Sequence, residues 1–167
     1  MYKTVFILGI LLMIWEVKIY RLTVIDLIIP LSIVLFIGII STPLALNDFQ
    51  NLFNYNRKFN LYFWTFIQST FSWGFIFCSI FMLSNYYLAS TDIKTKNYAI
   101  ADRSSLPGRK YHREERKPTF KIDYNGKEKE LVFHPKFYDK MDSYKNIELK
   151  VKEGFFGFDI LISQTLN

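Results

Sequence analysis

Residues 61–88 read LYFWTFIQSTFSWGFIFCSIFMLSNYYL and contain no charged side chain. Arg57 and Lys58 precede the run, and Asp92, Lys94 and Lys96 follow it. At a rise of about 1.5 Å per residue, a helix of this length exceeds a hydrocarbon layer about 30 Å thick. Tyr62 and Trp64 at one end, and Tyr86 and Tyr87 at the other, fall where aromatic belts meet lipid headgroups. The stretch therefore predicts a membrane-spanning helix.

Upstream, residues 22–46, LTVIDLIIPLSIVLFIGIISTPLAL, carry one charge, Asp26, near their start. A second span is expected over residues 24–46. Asp26 and Pro30 fall in its first turns, where a carboxylate meets the positive helix end and a proline removes no needed N–H. Capping at the interface is the reading preferred to a buried functional carboxylate.

The first twenty residues are less decisive. Their charge-free run, from Thr4 to Trp15, is short for a span and resembles the core of a signal peptide. No small-residue cleavage site follows, because Trp15, Glu16, Val17 and Lys18 stand there. With Lys3 and Lys18 reaching outward, residues 4–20 are read as a third crossing in preference to an interfacial segment. Either count leaves more Lys and Arg on the side of Lys18, Arg21 and residues 94–110 than on the side of Arg57 and Lys58. The positive-inside bias then predicts a multi-pass cell-membrane protein with its C-terminal part in the cytoplasm.

Beyond residue 90 the composition changes. The mean hydropathy of +0.09 averages an apolar first half with a charged second half. Of the net +6, the five basic and three acidic residues up to residue 90 account for +2, and the remainder for +4. Residues 91–117 read as a basic linker. Residues 118–167, with a start as early as residue 95, read as a small antiparallel β-rich domain of α+β type. Within it, Phe120, Ile122 and Tyr124 alternate with polar residues, Asn125-Gly126 supplies a type I′ turn, and Leu131 and Phe133 return. Pro135 opens a predicted short amphipathic helix with Phe137, Met141 and Tyr144 on one face. Ile147, Leu149 and Val151 form a further strand; after Glu153-Gly154, Phe156, Phe158, Ile160 and Ile162 are expected to share the face of the last one. An extra strand is expected over residues 97–102. So small a domain has a thin core, which implies support from helices, headgroups or another copy.

Two residue sets are candidate sites. Thr65, Gln68, Ser69, Ser72 and Ser79 recur at helical spacing along the 61–88 run. Small hydroxylated residues suit a helix-packing seam; the sharper alternative is the lining of a pore in an oligomer. Arg109, Lys110, Arg113, Arg116 and Lys117 form the densest basic cluster. That cluster suits a solvated loop, contact with anionic headgroups or a small anion, and its lone Tyr111 argues against nucleic acid.

No catalytic constellation accompanies them. Cys78 is the single cysteine, and with only His112 and His134 there is no zinc pattern. Ser104, Ser105, His112 and Asp102 are triad residue types without a G-x-S-x-G elbow. Phosphate-loop, dinucleotide and H-E-x-x-H motifs are missing, and no named family's motifs are carried. The expectation is a non-enzymatic, membrane-anchored interaction module without a cofactor, whose partners are the bilayer and either another copy or a membrane protein. The alternative is an oligomeric pore or membrane-disrupting effector gated by an anionic ligand or partner.

Overall fold

The computed structural model describes residues 2–53, 57–108, 110 and 113–167. Two compact units emerge: Met1–Ser90 with Glu153–Ile160, and Thr91–Lys152 with Leu161–Asn167.

The first unit is helical. Helix α1 runs over Tyr2–Leu22, α2 over Ile28–Phe53, α3 over Lys58–Ser69 and α4 over Phe75–Tyr87. A π-helical turn, Thr70–Gly74, joins α3 to α4 without a break, so Lys58–Tyr87 forms one long helix. Ile28–Leu52 and Lys58–Tyr87 are each long and apolar enough to cross a membrane. Helix α1 is of similar length, but Glu16, Lys18 and Arg21 interrupt its last turns. Asp26 sits just before α2, and its Oδ1 accepts from the Ile28 N–H at 3.3 Å, the role expected of a capping carboxylate.

Contacts at successive levels fix the helix directions. Phe6 meets Phe71, Gly9 abuts the carbonyls of Phe71 and Ser72, and Trp15 meets Tyr87, so α1 runs parallel to the long helix. Pro30 lies against Cys78, Val34 against Gly74 and Gly38 against Thr70, so α2 runs antiparallel to it. A Cβ at Gly9 or Gly74 would strike backbone oxygens of the neighbouring helix, and these two glycines permit the close crossings.

At the far end of α4, Asn85 is fully buried. Its Nδ2 donates to Phe158 O at 3.2 Å, and its Oδ1 accepts from Phe156 N at 3.0 Å. Val24 N donates to Asp159 O at 2.7 Å, so the turn over residues 153–160 is stitched to the ends of both α1 and α4. Phe156 stacks on Phe81 with centroids 4.7 Å apart. This corrects the strand expected there: Phe156 and Phe158 lie in a turn, because their rings and backbone are committed to α4, and the strand begins only at Asp159.

The second unit is built on a five-stranded antiparallel sheet, β1 (Ile93–Leu106), β2 (Lys117–Tyr124), β3 (Lys127–Val132), β4 (Asn146–Glu153) and β5 (Asp159–Leu166), in the order β3-β2-β1-β4-β5. Much of the stretch that composition marks as linker is thus strand. β1 pairs with β4 along Ile93–Ala99 and with β2 along Ile100–Leu106, and the register shifts between Ile100 and Asp102. A bulge at that point bends a strand and raises its twist. The sheet curls, and Gln164 Nε2 of β5 reaches Val132 O of β3 at 3.0 Å, edge to edge.

Asn125 (φ 55°) and Gly126 (φ 82°) take the positive dihedrals of the turn between β2 and β3. Phe120, Ile122, Leu131, Ile147, Leu149 and Val151 are buried, as their alternation requires. Residues 135–144 differ from the single helix expected. They form two 3-10 turns, Pro135–Phe137 and Met141–Ser143, because ten residues are too few to offset helix nucleation. The side-chain pattern still brings Phe137 to Tyr144, with centroids 6.1 Å apart.

Candidate functional site

The polar residues of the long helix lie against its neighbours. Thr65 is 0 % and Ser79 1 % exposed. Thr65 Oγ1 bonds back to Leu61 O at 2.7 Å, while Ser79 Oγ donates to Glu16 Oε2 of α1 at 3.1 Å. Cys78 Sγ lies 3.0 Å from Glu16 Oε1, so one buried carboxylate gathers two donors from α4. Sequence reasoning passed over Glu16 as the charge that ends an apolar run. Its only signal was its position within a segment otherwise able to span.

Gln68, Ser69 and Ser72 occupy a different place. With Ser41 of α2 they form the polar part of a groove of about 400 Å³ within the helical unit. Its remaining walls are apolar, among them Val5 of α1, Ile37, Ile40 and Leu44 of α2, and Trp73 and Phe77 of the long helix. Gln68 Nε2 donates to Ser72 Oγ at 3.3 Å. Ser69 is 2 % exposed, and its Oγ has no hydrogen-bond partner among the described residues. The hydroxyl of Thr70, packed on Gly38, is likewise without one.

The π turn explains part of this arrangement. Widening the helix by one residue per turn shifts the side chains after Thr70 around the axis. Ser72 lines the groove from within this turn, and Gly74 at its end packs on Val34. Neither the π turn nor the groove has a sequence signature that periodicity alone would find.

Compared with protein-family models, curated proteins and solved structures, the chain matches none. Its site must be read from its own residues.

Of the basic cluster, Lys110, Arg113 and Arg116 are exposed and Lys117 is half-buried at the start of β2, while Arg109 lies outside the described residues. Arg116 donates to Tyr138 OH at 3.3 Å. Ser104 is exposed, and Asp102 accepts from Arg103 N at 2.8 Å; the third triad type, His112, also lies outside the described residues. Among the described residues no three His, Cys, Asp or Glu side chains group as metal ligands.

The groove offers an amide and hydroxyls beside apolar walls. Such a surface accepts an apolar body bearing one neutral hydrogen-bonding group.

Proposed function

We propose that the chain is an integral membrane protein of the cell membrane, a non-enzymatic module whose helices hold a small basic β-domain at the cytoplasmic face for interaction with a membrane partner. One observation carries this reading: the outer surface of the helical unit is apolar, and polar groups are buried beside its apolar cluster of Ile19, Ile25, Val34 and Met82. Leu35, Phe36, Ile39, Leu44, Phe63 and Ile80 point outward, while Glu16, Thr42, Thr65, Ser72 and Asn85 are buried. In water that arrangement wastes apolar burial and desolvates polar groups. In hydrocarbon it is the favourable one, because outward apolar surface costs nothing and interior polar groups bond one another.

All three helices are included as crossings. Helix α1 shares the outward apolar surface through Ile7, Leu11 and Ile14, and it runs beside the long helix from Phe71 to Tyr87. Lys18 and Arg21 then lie at the α4 end with Lys94 and Lys96 close behind in sequence, opposite Arg57 and Lys58. That bias favours a cytoplasmic β-domain. Burial of Thr65 and Ser79 in contacts with the chain's own helices favours the packing role over a pore lining.

The test is extraction and topology together. The full chain should stay in the membrane pellet through alkaline carbonate and come out with mild detergent. Fused after Asn167, green fluorescent protein should fluoresce and alkaline phosphatase should be inactive. Release by carbonate would refute the membrane reading, and an active phosphatase fusion would refute the cytoplasmic placement. Recovery of a lone chain, with no partner crosslinked, would refute the interaction role.

A further inference from the structure

The turn joining β4 to β5 is fastened to the end of α4 and yet leaves two phenylalanine rings uncovered. Asn85 holds it at three points: besides the two bonds of its amide to Phe156 N and Phe158 O, its own carbonyl accepts from Phe155 N at 3.2 Å. Gly154 packs so closely on the Asn85 amide that a Cβ there would strike it. Phe158 is turned inward, against Phe81 and the apolar cluster of the helices. Phe155 and Phe156 are turned outward, 60 % and 46 % exposed, with their rings in edge contact 5.0 Å apart.

Depth decides what such a surface meets. The long helix has 30 residues, which makes it about 45 Å long, roughly 15 Å more than the hydrocarbon layer. With that excess shared between its ends, hydrocarbon stops about 7 Å short of Tyr87. Phe81 precedes Tyr87 by six residues, about 9 Å, and so stands at that edge. Phe156, stacked on Phe81, is at the same level. Trp15 and Tyr87, both exposed and in edge contact, mark the headgroup level just beyond it.

We infer that the turn over residues 154–158 is a lipid-binding site that inserts Phe155 and Phe156 into the cytoplasmic leaflet, at the boundary between headgroups and acyl chains. The inference rests on the proposed membrane reading. The rings continue, through Phe81, the apolar surface that α4 turns to lipid, and rings at this depth gain apolar contact that water denies them. The Asn85 bonds hold the turn in place, so little order remains to be imposed when lipid meets it.

A bimane fluorophore on Phe155→Cys tests this, in the full chain reconstituted into vesicles of phosphatidylcholine and phosphatidylglycerol. Cys78 is fully buried, and the unsubstituted chain serves as the labelling blank. A lipid nitroxide near the ester end of the acyl chain should remove most of the fluorescence, one near the terminal methyl less, and aqueous iodide almost none. Phe156→Cys should repeat that pattern, whereas Glu128→Cys, exposed on β3, should be quenched by iodide and not by lipid. Unchanged circular dichroism establishes that each labelled chain is folded. Iodide quenching of the Phe155→Cys label equal to that at Glu128→Cys would overturn the inference. So would a label reached by neither quencher, because protein would then cover the turn. Lipid quenching at Ile80→Cys on α4 without it at Phe155→Cys overturns the inference and leaves the membrane reading standing; its absence at both removes both.

Discussion

The two units of this chain both bury an apolar core but differ in what they expose and in how many polar groups they enclose. In the sheet unit, Phe120, Ile122, Leu149 and Val151 are buried, while Glu128, Lys150 and Asp102 face outward. In the helical unit, Glu16, Thr65, Ser79 and Asn85 are buried, while Leu, Ile and Phe cover the outside. On the proposed membrane reading, that difference reflects two solvents. The sheet unit draws on the hydrophobic effect, whereas helices in lipid associate through close packing and interhelical hydrogen bonds. Gly9 and Gly74 at helix crossings, and Glu16 bonded to Cys78 and Ser79, are devices of the second kind.

The comparison breaks most sharply at matched substitutions. Phe120→Ala removes a fully buried ring that meets Phe133 edge-on, and should destabilise the sheet unit by about 4 kcal/mol, read by denaturant titration in detergent. A smaller but more discriminating effect comes from placing lysine outward in both units. Ile39, 60 % exposed near the middle of α2, should lose about 3 kcal/mol of membrane insertion as Ile39→Lys, measured with a translocon insertion reporter. Val132→Lys, at a β3 position 42 % exposed, should change stability by less than about 0.5 kcal/mol. Equal tolerance at the two sites would dissolve the distinction between the units. Between these lies Gly126→Ala, where nothing surrounds the site and only the positive φ is strained, at about 1 kcal/mol.

Local patterns were legible and long-range ones were not. The apolar runs around Leu27–Leu46 and Leu61–Leu88, the Asn125-Gly126 turn and the alternation at Ile147–Val151 each depend on neighbours in sequence, and all appear as helix, turn and strand. The residues misassigned are those whose conformation is set from afar. Phe156 and Phe158 alternate like a strand, but Asn85 and Phe81, more than seventy residues away, hold them in a turn. The 3-10 turns over Pro135–Ser143 replace a helix too short to stand alone. At the candidate site, helical spacing singled out Gln68, Ser69 and Ser72 but gave no hint that the π turn and α2 would shape a groove around them. Glu16 was invisible as a site because its partners lie on another helix.

The proposed lipid exposure of the apolar helical surface is tested most directly by spin-label accessibility in nanodiscs. Labels placed one at a time at Ile14, Ile39 and Ile80, and at Ser104 and Glu128, report collisions with oxygen, which concentrates in hydrocarbon, and with a water-soluble nickel chelate. The account predicts high oxygen and low nickel accessibility at the three helical positions and the opposite at the two sheet positions. Nickel accessibility at Ile39 and Ile80 equal to that at Glu128 would contradict it.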